Sequence, residues 1–270
     1  VVSGAIFRIA VGFVTAAVML LGGGIYFSDR YTAEQQRLAA AGDTEAALEH
    51  LELAARLNPF SARPLVYESA LYRQQGRPQE ALRAIEVAIE REPRNYAHYV
   101  SLAELQAGEL NEPRAAVESY RRALELNPNS IPTRHQLAAL YIRLGELEEA
   151  RDVYIGLMHI NRLSLEGRYD LGRIYVRTGA PALGEVRLRE TRERAERELE
   201  GMAGPQRVQR ESFIDSVELA IADALVVQRR YEEAREIIQE SEAEQAPAIL
   251  QLLNADPEAY RETVLESAIY

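Results

Sequence analysis

The sequence predicts an all-α chain. One N-terminal transmembrane helix is followed by a right-handed α-solenoid of about five to six helical hairpins, closed by a C-terminal helical cap. Three observations carry that prediction. A helix–turn–helix phrase recurs, with Pro59, Pro93 and Pro128 standing 34 and then 35 residues apart, and a period of that length marks stacked helical hairpins. Ile9–Phe27 is a run of 19 residues without a charge, close to what the ~30 Å hydrocarbon core of a bilayer requires at ~1.5 Å per helical residue. No run alternates apolar and polar residues as a half-buried strand would.

Composition removes several function classes. The chain has no Cys, which excludes disulfides, thiolate metal sites and thiol catalysis. Its net charge of −11 argues against a nucleic-acid partner, because phosphate binding needs a basic stripe. All 31 basic residues are Arg, and Arg grips a carboxylate as a fork rather than as a point charge.

Residues 1–30 read as the membrane anchor. Arg8 and the Asp29-Arg30 pair bound the apolar run, and Tyr26, Phe27 and Tyr31 are expected at headgroup level, where Tyr is favoured. The run exceeds the apolar core of a signal peptide, and no small-residue cleavage site follows it. Gly12, Ala16, Gly22, Gly23 and Gly24 are small residues that allow another helix backbone to approach closely in lipid. Arg8 on one side and Arg30 and Arg37 on the other give no clear vote on orientation. The expectation is a single-pass protein of a bacterial inner membrane with its soluble part in the periplasm. The chain opens at Val1 without Met, so further residues are expected before it.

Residues 31–164 read as four hairpins. No Pro or loop signal separates the apolar run from the first helix after it, so the two are expected to be continuous as far as Gly42. In the first hairpin Ala47, Leu51 and Ala54 recur at helical spacing before Pro59 ends the element. The second hairpin carries Ser69, Tyr72, Gly76, Ala81, Ile85, Ala88 and Pro93. The third carries Ala103, Ala116, Tyr120, Ala123 and Pro128, with a turn one residue longer. The fourth carries Ala138, Tyr141, Gly145, Ala150 and Tyr154, with Leu157 where a small residue is expected.

These residues resemble the tetratricopeptide repeat family, and the chain looks like a membrane-anchored bacterial member. The resemblance implies antiparallel helix pairs that approach through small residues, with bulky residues filling the remaining space, and stacking that covers the apolar face each pair leaves bare.

Residues 165–248 read as degenerate repeats interrupted by a linker at 201–205. The first begins with Leu171, Gly172, Tyr175 and Gly179, then has Gly184 where Ala is expected. Its second helix is laced with charge, and Glu185/Arg189, Glu190/Arg194 and Glu193/Arg197 are spaced to pair along it. After Gly204-Pro205, one long helix over 206–227 and a partner matching at Ala234 and Ile238 form a sixth copy. Residues 249–270 read as the cap, with Leu250, Leu253, Val264, Leu265 and Ile269 covering the open end.

No catalytic constellation or phosphate loop stands out. His50, His98, His135 and His159 are each isolated, so no metal and no cofactor is expected. The acidic pairs Glu148-Glu149 and Glu232-Glu233 open second helices, where the helix dipole favours negative charge. The resemblance implies a partner-binding groove built by the first helix of each repeat. It maps to Arg63, Val66, Ala70, Arg73, Val100, Glu104, His135, Ala139, Ile142, Tyr169, Arg173 and Val176, a mixed surface suited to a helix or an extended peptide. Relatives that clamp a chaperone's terminal carboxylate use Lys and Asn. Thr32 and Gln36 stand in the first repeat instead, so that ligand is not expected. The reading is a non-enzymatic, membrane-anchored scaffold or assembly subunit that binds protein partners and the lipid bilayer. The alternative is a periplasmic chaperone or quality-control adaptor holding client segments transiently.

Overall fold

The computed structural model describes residues 22–267, and among them the chain forms fourteen helices and no strand. Two compact units divide it, Val1–Ser130 and Ile131–Tyr270. The first holds α1 (22–40), α2 (Thr44–Leu57), α3 (Arg63–Gln74), α4 (Pro78–Arg91), α5 (Tyr96–Ala107) and α6 (Pro113–Leu126). The second holds α7 (Ile131–Leu144), α8 (Leu147–His159), α9 (Leu165–Arg177), α10 (Pro181–Leu199), α11 (Pro205–Val227), α12 (Tyr231–Glu240), α13 (Ala246–Ala255) and α14 (Pro257–Glu266).

Turn chemistry sets the hairpins. Pro78, Pro113 and Pro181 open α4, α6 and α10 at the first helical position, where the missing N–H costs nothing. Gly76 and Gly145 precede second helices at φ +68° and +74°, a left-handed geometry that glycine adopts without strain. In the third hairpin the additional residue moves this role to Asn111, at φ 55°. Asn tolerates that region better than most side chains.

The small-residue pattern becomes close helix contact. Ala47, Ala54, Ala81, Ala88, Ala116 and Ala123 are fully buried, as are Leu51 and Ile85 between them. Side chains also stitch the pairs together: the Ser28 and Ser69 hydroxyls each donate 2.9 Å bonds, to the carbonyls of Ala54 and Ala81. In the second unit Leu157 replaces a small residue and is still fully buried. Gly184 has its own reason: a Cβ there would lie 2.7 Å from the Gly172 carbonyl oxygen and 2.7 Å from Val176. Two glycines thus face each other where α9 crosses α10.

The linker is a turn over 200–204 with Gly204 at φ 62°, and the long helix after it runs Pro205–Val227. The two C-terminal helices pack on the second unit. α14 folds back on α9 and α11, Leu253 and Val264 are buried, and Ile269 lies outside the described residues.

The charge-laced helix departs from its expected pairing. Arg189 does bond Glu185, at 2.9 Å, but Glu190 pairs with Arg187 and Arg194 with Glu198. Glu185 is also no surface residue. It is buried and accepts from Gln228 at 2.9 Å and Arg230 at 2.6 Å, tying α10 to the α11–α12 turn. Burial pushes its pKa up, but the bonds from Gln228 and Arg189 and the charge of Arg230 outweigh that and hold it below the usual range.

The expected membrane segment lies mostly outside the described residues. Gly12, Ala16 and the run to residue 21 lie outside the described residues. Among the described residues no helix is long and apolar enough to cross a membrane. Residues 22–40 form one helix without a break at the expected boundary of 30. Gly24 needs correction. A Cβ on it would lie 2.7 Å from the Leu57 carbonyl oxygen at the end of α2, so its smallness serves contact within the chain. Among the described residues, nothing lies within 4 Å of such a Cβ on Gly22 or Gly23.

Candidate functional site

The predicted groove residues fall six in each unit. In the first unit, Arg63, Val66, Ala70 and Arg73 come from α3, and Val100 and Glu104 from α5. Arg63 lies over the Tyr67 ring at 5.8 Å, and Val66 packs partly into the core with Leu65 and Ile85. Arg73 reaches across to the next hairpin, with Nε 2.7 Å from Glu109 and a terminal nitrogen 3.8 Å from Glu104. Its charge is therefore already balanced. A shallow cavity of about 330 Å³ lies beside this pair, lined by Ala70, Arg73, Gln74 and Glu109.

The second unit assembles more. His135 sits beside Tyr154, with ring centroids 6.0 Å apart, and Ala139 is exposed. Ile142 and Val176 are corrections. They are only 5% and 1% exposed, and Val176 belongs to the core with Leu188 and Val217, so neither presents a surface to a ligand. Each lies one position off the open face, and in a helix a 100° error moves a side chain from groove to core.

Tyr169 and Arg173 do face one another's neighbours in a common wall. Arg173 lies 5.0 Å over the Tyr169 ring, Tyr169 meets Phe213 edge-on at 5.8 Å, and Arg210 lies 5.6 Å from the Phe213 ring. The result is a ladder of cation, two aromatic rings and cation across α9 and α11. Burial raises the Tyr169 hydroxyl pKa. Arg210 also pairs with Glu198 at 3.3 Å, while its Nε is buried without a partner among the described residues. Beside the ladder opens a cavity of about 460 Å³ lined by Glu166, Met202, Gln206, Gln209, Arg210 and Phe213. Sequence mapping missed the α11 half because the groove was mapped only as far as α9, although the repeat pattern was followed into the sixth copy. The signal was there: Gln206, Gln209, Arg210 and Phe213 share one helical face by their spacing.

Below the ladder, Tyr260 of α14 donates to Asp223 of α11 at 2.8 Å. Burial raises the pKa of Asp223, and the Tyr260 bond and the charges of Arg177 and Arg173 oppose it. Arg177 donates to the Ser267 carbonyl and hydroxyl, at 3.1 and 2.9 Å. The cap thus fixes the floor on which the aromatic wall stands.

Residues 68–131 and 109–164 match tetratricopeptide repeat profiles. Residues 68–164 are tetratricopeptide repeats. The repeat fold extends further than those profiles. A tetratricopeptide repeat protein from Parabacteroides merdae superimposes with a TM-score of 0.60 at 20% identity, over 91% of this chain and 94% of that one. YrrB, described as a repeat protein with an unusual peptide-binding site, gives 0.50 at 21% identity over 60% and 82%. At such identities the likeness is one of fold. A cellulose synthase operon protein C of Pseudomonas fluorescens is 36% identical over 92 residues, which cover 32% of this chain and 7% of that protein's length. The chain is all-α, with tetratricopeptide repeats over residues 68–164 and a repeat fold of that type beyond them.

Proposed function

We propose that this repeat scaffold holds protein partners, with the ladder of Arg173, Tyr169, Phe213 and Arg210 as the principal contact surface of its second unit. The single observation that carries the reading is that ladder beside a 460 Å³ cavity. Rigid aromatic rings flanked by Arg are the residues that dominate binding energy at protein interfaces, and the cavity is lined mostly by polar side chains. The peptide-binding site in YrrB's description supports a peptide or helical segment as the occupant.

The reading includes a membrane tether in a bacterial inner membrane, with the repeats on the periplasmic side. Its support is the uncharged run before residue 28 and the outward display of Ile25, Tyr26, Phe27 and Phe60, which are 45%, 59%, 50% and 73% exposed. The Gly24–Leu57 contact brings the polar end of α2 beside α1. The lipid-buried part would then end by about residue 23, because backbone carbonyls are not left unpaired in hydrocarbon.

The test is affinity purification of the full chain after gentle detergent extraction, with cross-linking and mass spectrometry. A stoichiometric partner whose affinity falls at least about tenfold in Phe213→Ala supports the reading. Many substoichiometric clients would instead mark a chaperone or quality-control adaptor. Retention of every partner by F213A would overturn the ladder as the contact surface. Protease digestion of sealed cells reports the side on which the repeats lie.

A further inference from the structure

A second cavity, in the first unit and remote in sequence from the ladder, has a different chemistry. It measures about 520 Å³ and is lined by Phe27, Arg30, Tyr31, Glu34 and Arg37 of α1 and by His50 of α2. The α1 residues recur at intervals of three and four, so they form one helical stripe. The stripe begins at Phe27, the last residue of the uncharged run.

Its two cations are lightly paired. Arg30 has no ion pair or hydrogen bond among the described residues. Arg37 faces only Glu34, at 3.6 Å with 83% of its own side chain exposed, a weak pairing in solvent. His50 meets the Tyr31 ring edge-on at 5.2 Å, and its Nδ1 is buried without a hydrogen-bond partner among the described residues. Two arginines and a phenol thus line one recess beside the His50 ring, against a single carboxylate. In a chain of net charge −11 this is a local reversal of sign.

We infer that this cavity binds the phosphate headgroup of an anionic phospholipid. The inference rests on the reading of the segment before residue 24 as a membrane span. Given a span that ends near residue 23, Phe27 would lie about one helical turn above the hydrocarbon edge and Arg30 about one turn higher. Arg30 would then stand near phosphate height, with Arg37 and His50 closing the upper wall. Arginine binds phosphate as a fork with charge-assisted bonds, and the exposed Tyr26 and Phe27 suit the interface beside it. The lipid would fix the rotation of α1 against the bilayer, and with it the direction in which the first unit faces.

The experiment uses the full chain in phosphatidylcholine nanodiscs containing a minor fraction of phosphatidylglycerol, with retained lipids counted by native mass spectrometry. The expected result is preferential retention of phosphatidylglycerol, reduced about thirtyfold in the Arg30→Gln, Arg37→Gln double variant, the size expected for two arginines near an anionic surface. The exposed Arg94→Gln variant should keep the preference. Equal retention of both lipids, or a preference that survives R30Q/R37Q, overturns the site. Displacement of the phosphatidylglycerol by millimolar glycerol phosphate would show a soluble anion as the ligand and overturn the lipid assignment. Flotation with neutral liposomes tests the span separately: failure to float removes the membrane reading itself, whereas flotation without headgroup preference removes only this site.

Discussion

The hydroxyl of Tyr260 donates to the carboxylate of Asp223 at 2.8 Å, joining the cap helix α14 to α11 across 37 residues. Asp223 is held in a desolvated place, and the other charges acting on it are those of Arg177 and Arg173. Tyr260 in turn has its own pKa raised, by burial first and then by the Asp223 charge and bond. Each group therefore keeps the other in the form that can share the proton. The cap is not a loose tail but a part of the wall that carries Tyr169 and Arg173.

Tyr260→Phe removes only the donor. It should destabilise the cap by about 1–3 kcal/mol, the cost of leaving a buried polar group without its partner. Amide hydrogen exchange along α14 should accelerate while α3 and α4 keep their protection. Equal protection of α14 in both proteins would show that the bond contributes nothing.

Glu92 gives the pH dependence of the first unit. It accepts from the Ala62 N–H at 2.9 Å, from Asn95 at 3.0 Å and meets His98 Nε2 at 3.1 Å. The Ala62 and Asn95 bonds hold its pKa below the ordinary value of 4.5 despite some desolvation. A carboxylate with a depressed folded pKa contributes stability that is present above 4.5 and is lost as pH falls through the folded value. Glu92→Gln should therefore cost about 1 kcal/mol at neutral pH, a modest figure because the side chain is partly exposed. It should also flatten the loss of stability below pH 4.5. Urea midpoints measured across the acid range check both parts.

Gly184→Ala sets two effects against each other. Alanine gains about 1 kcal/mol of helix propensity. Its Cβ, however, would sit 2.7 Å from a backbone oxygen of α9 that cannot rotate away, and overpacking of this kind costs up to about 3 kcal/mol. The clash wins, so G184A should lower the melting temperature. Gly201→Ala, with nothing within 4 Å, should not.

Much of this chain was legible as sequence. Pro and Gly punctuate the hairpins at a fixed period, and Ala at helical spacing marks where two helices touch. The α1–α2 pair, the long α11 and the two cap helices follow from those signals, because capping, turn geometry and small-residue contact are local properties. The family resemblance also assigned Tyr169 and Arg173 to the first helix of a repeat, and both lie on α9.

What the sequence left undecided was every relation between side chains distant along the chain. Glu185 reads as one more acid on a solvated helix, and only packing brings Gln228 and Arg230 to it and buries it. Gly24 reads as a lipid-facing contact, and only the end of α2 shows what it touches. Ile142 and Val176 fell into the core because one helical position decides between floor and interior. Phe213 and Arg210 joined Tyr169 because α11 folds back on α9 after the linker. Hairpin formation depends on residues a turn apart, which a sequence lists side by side. A binding surface depends on which faces the stacked hairpins bring together, and that is fixed only when they pack.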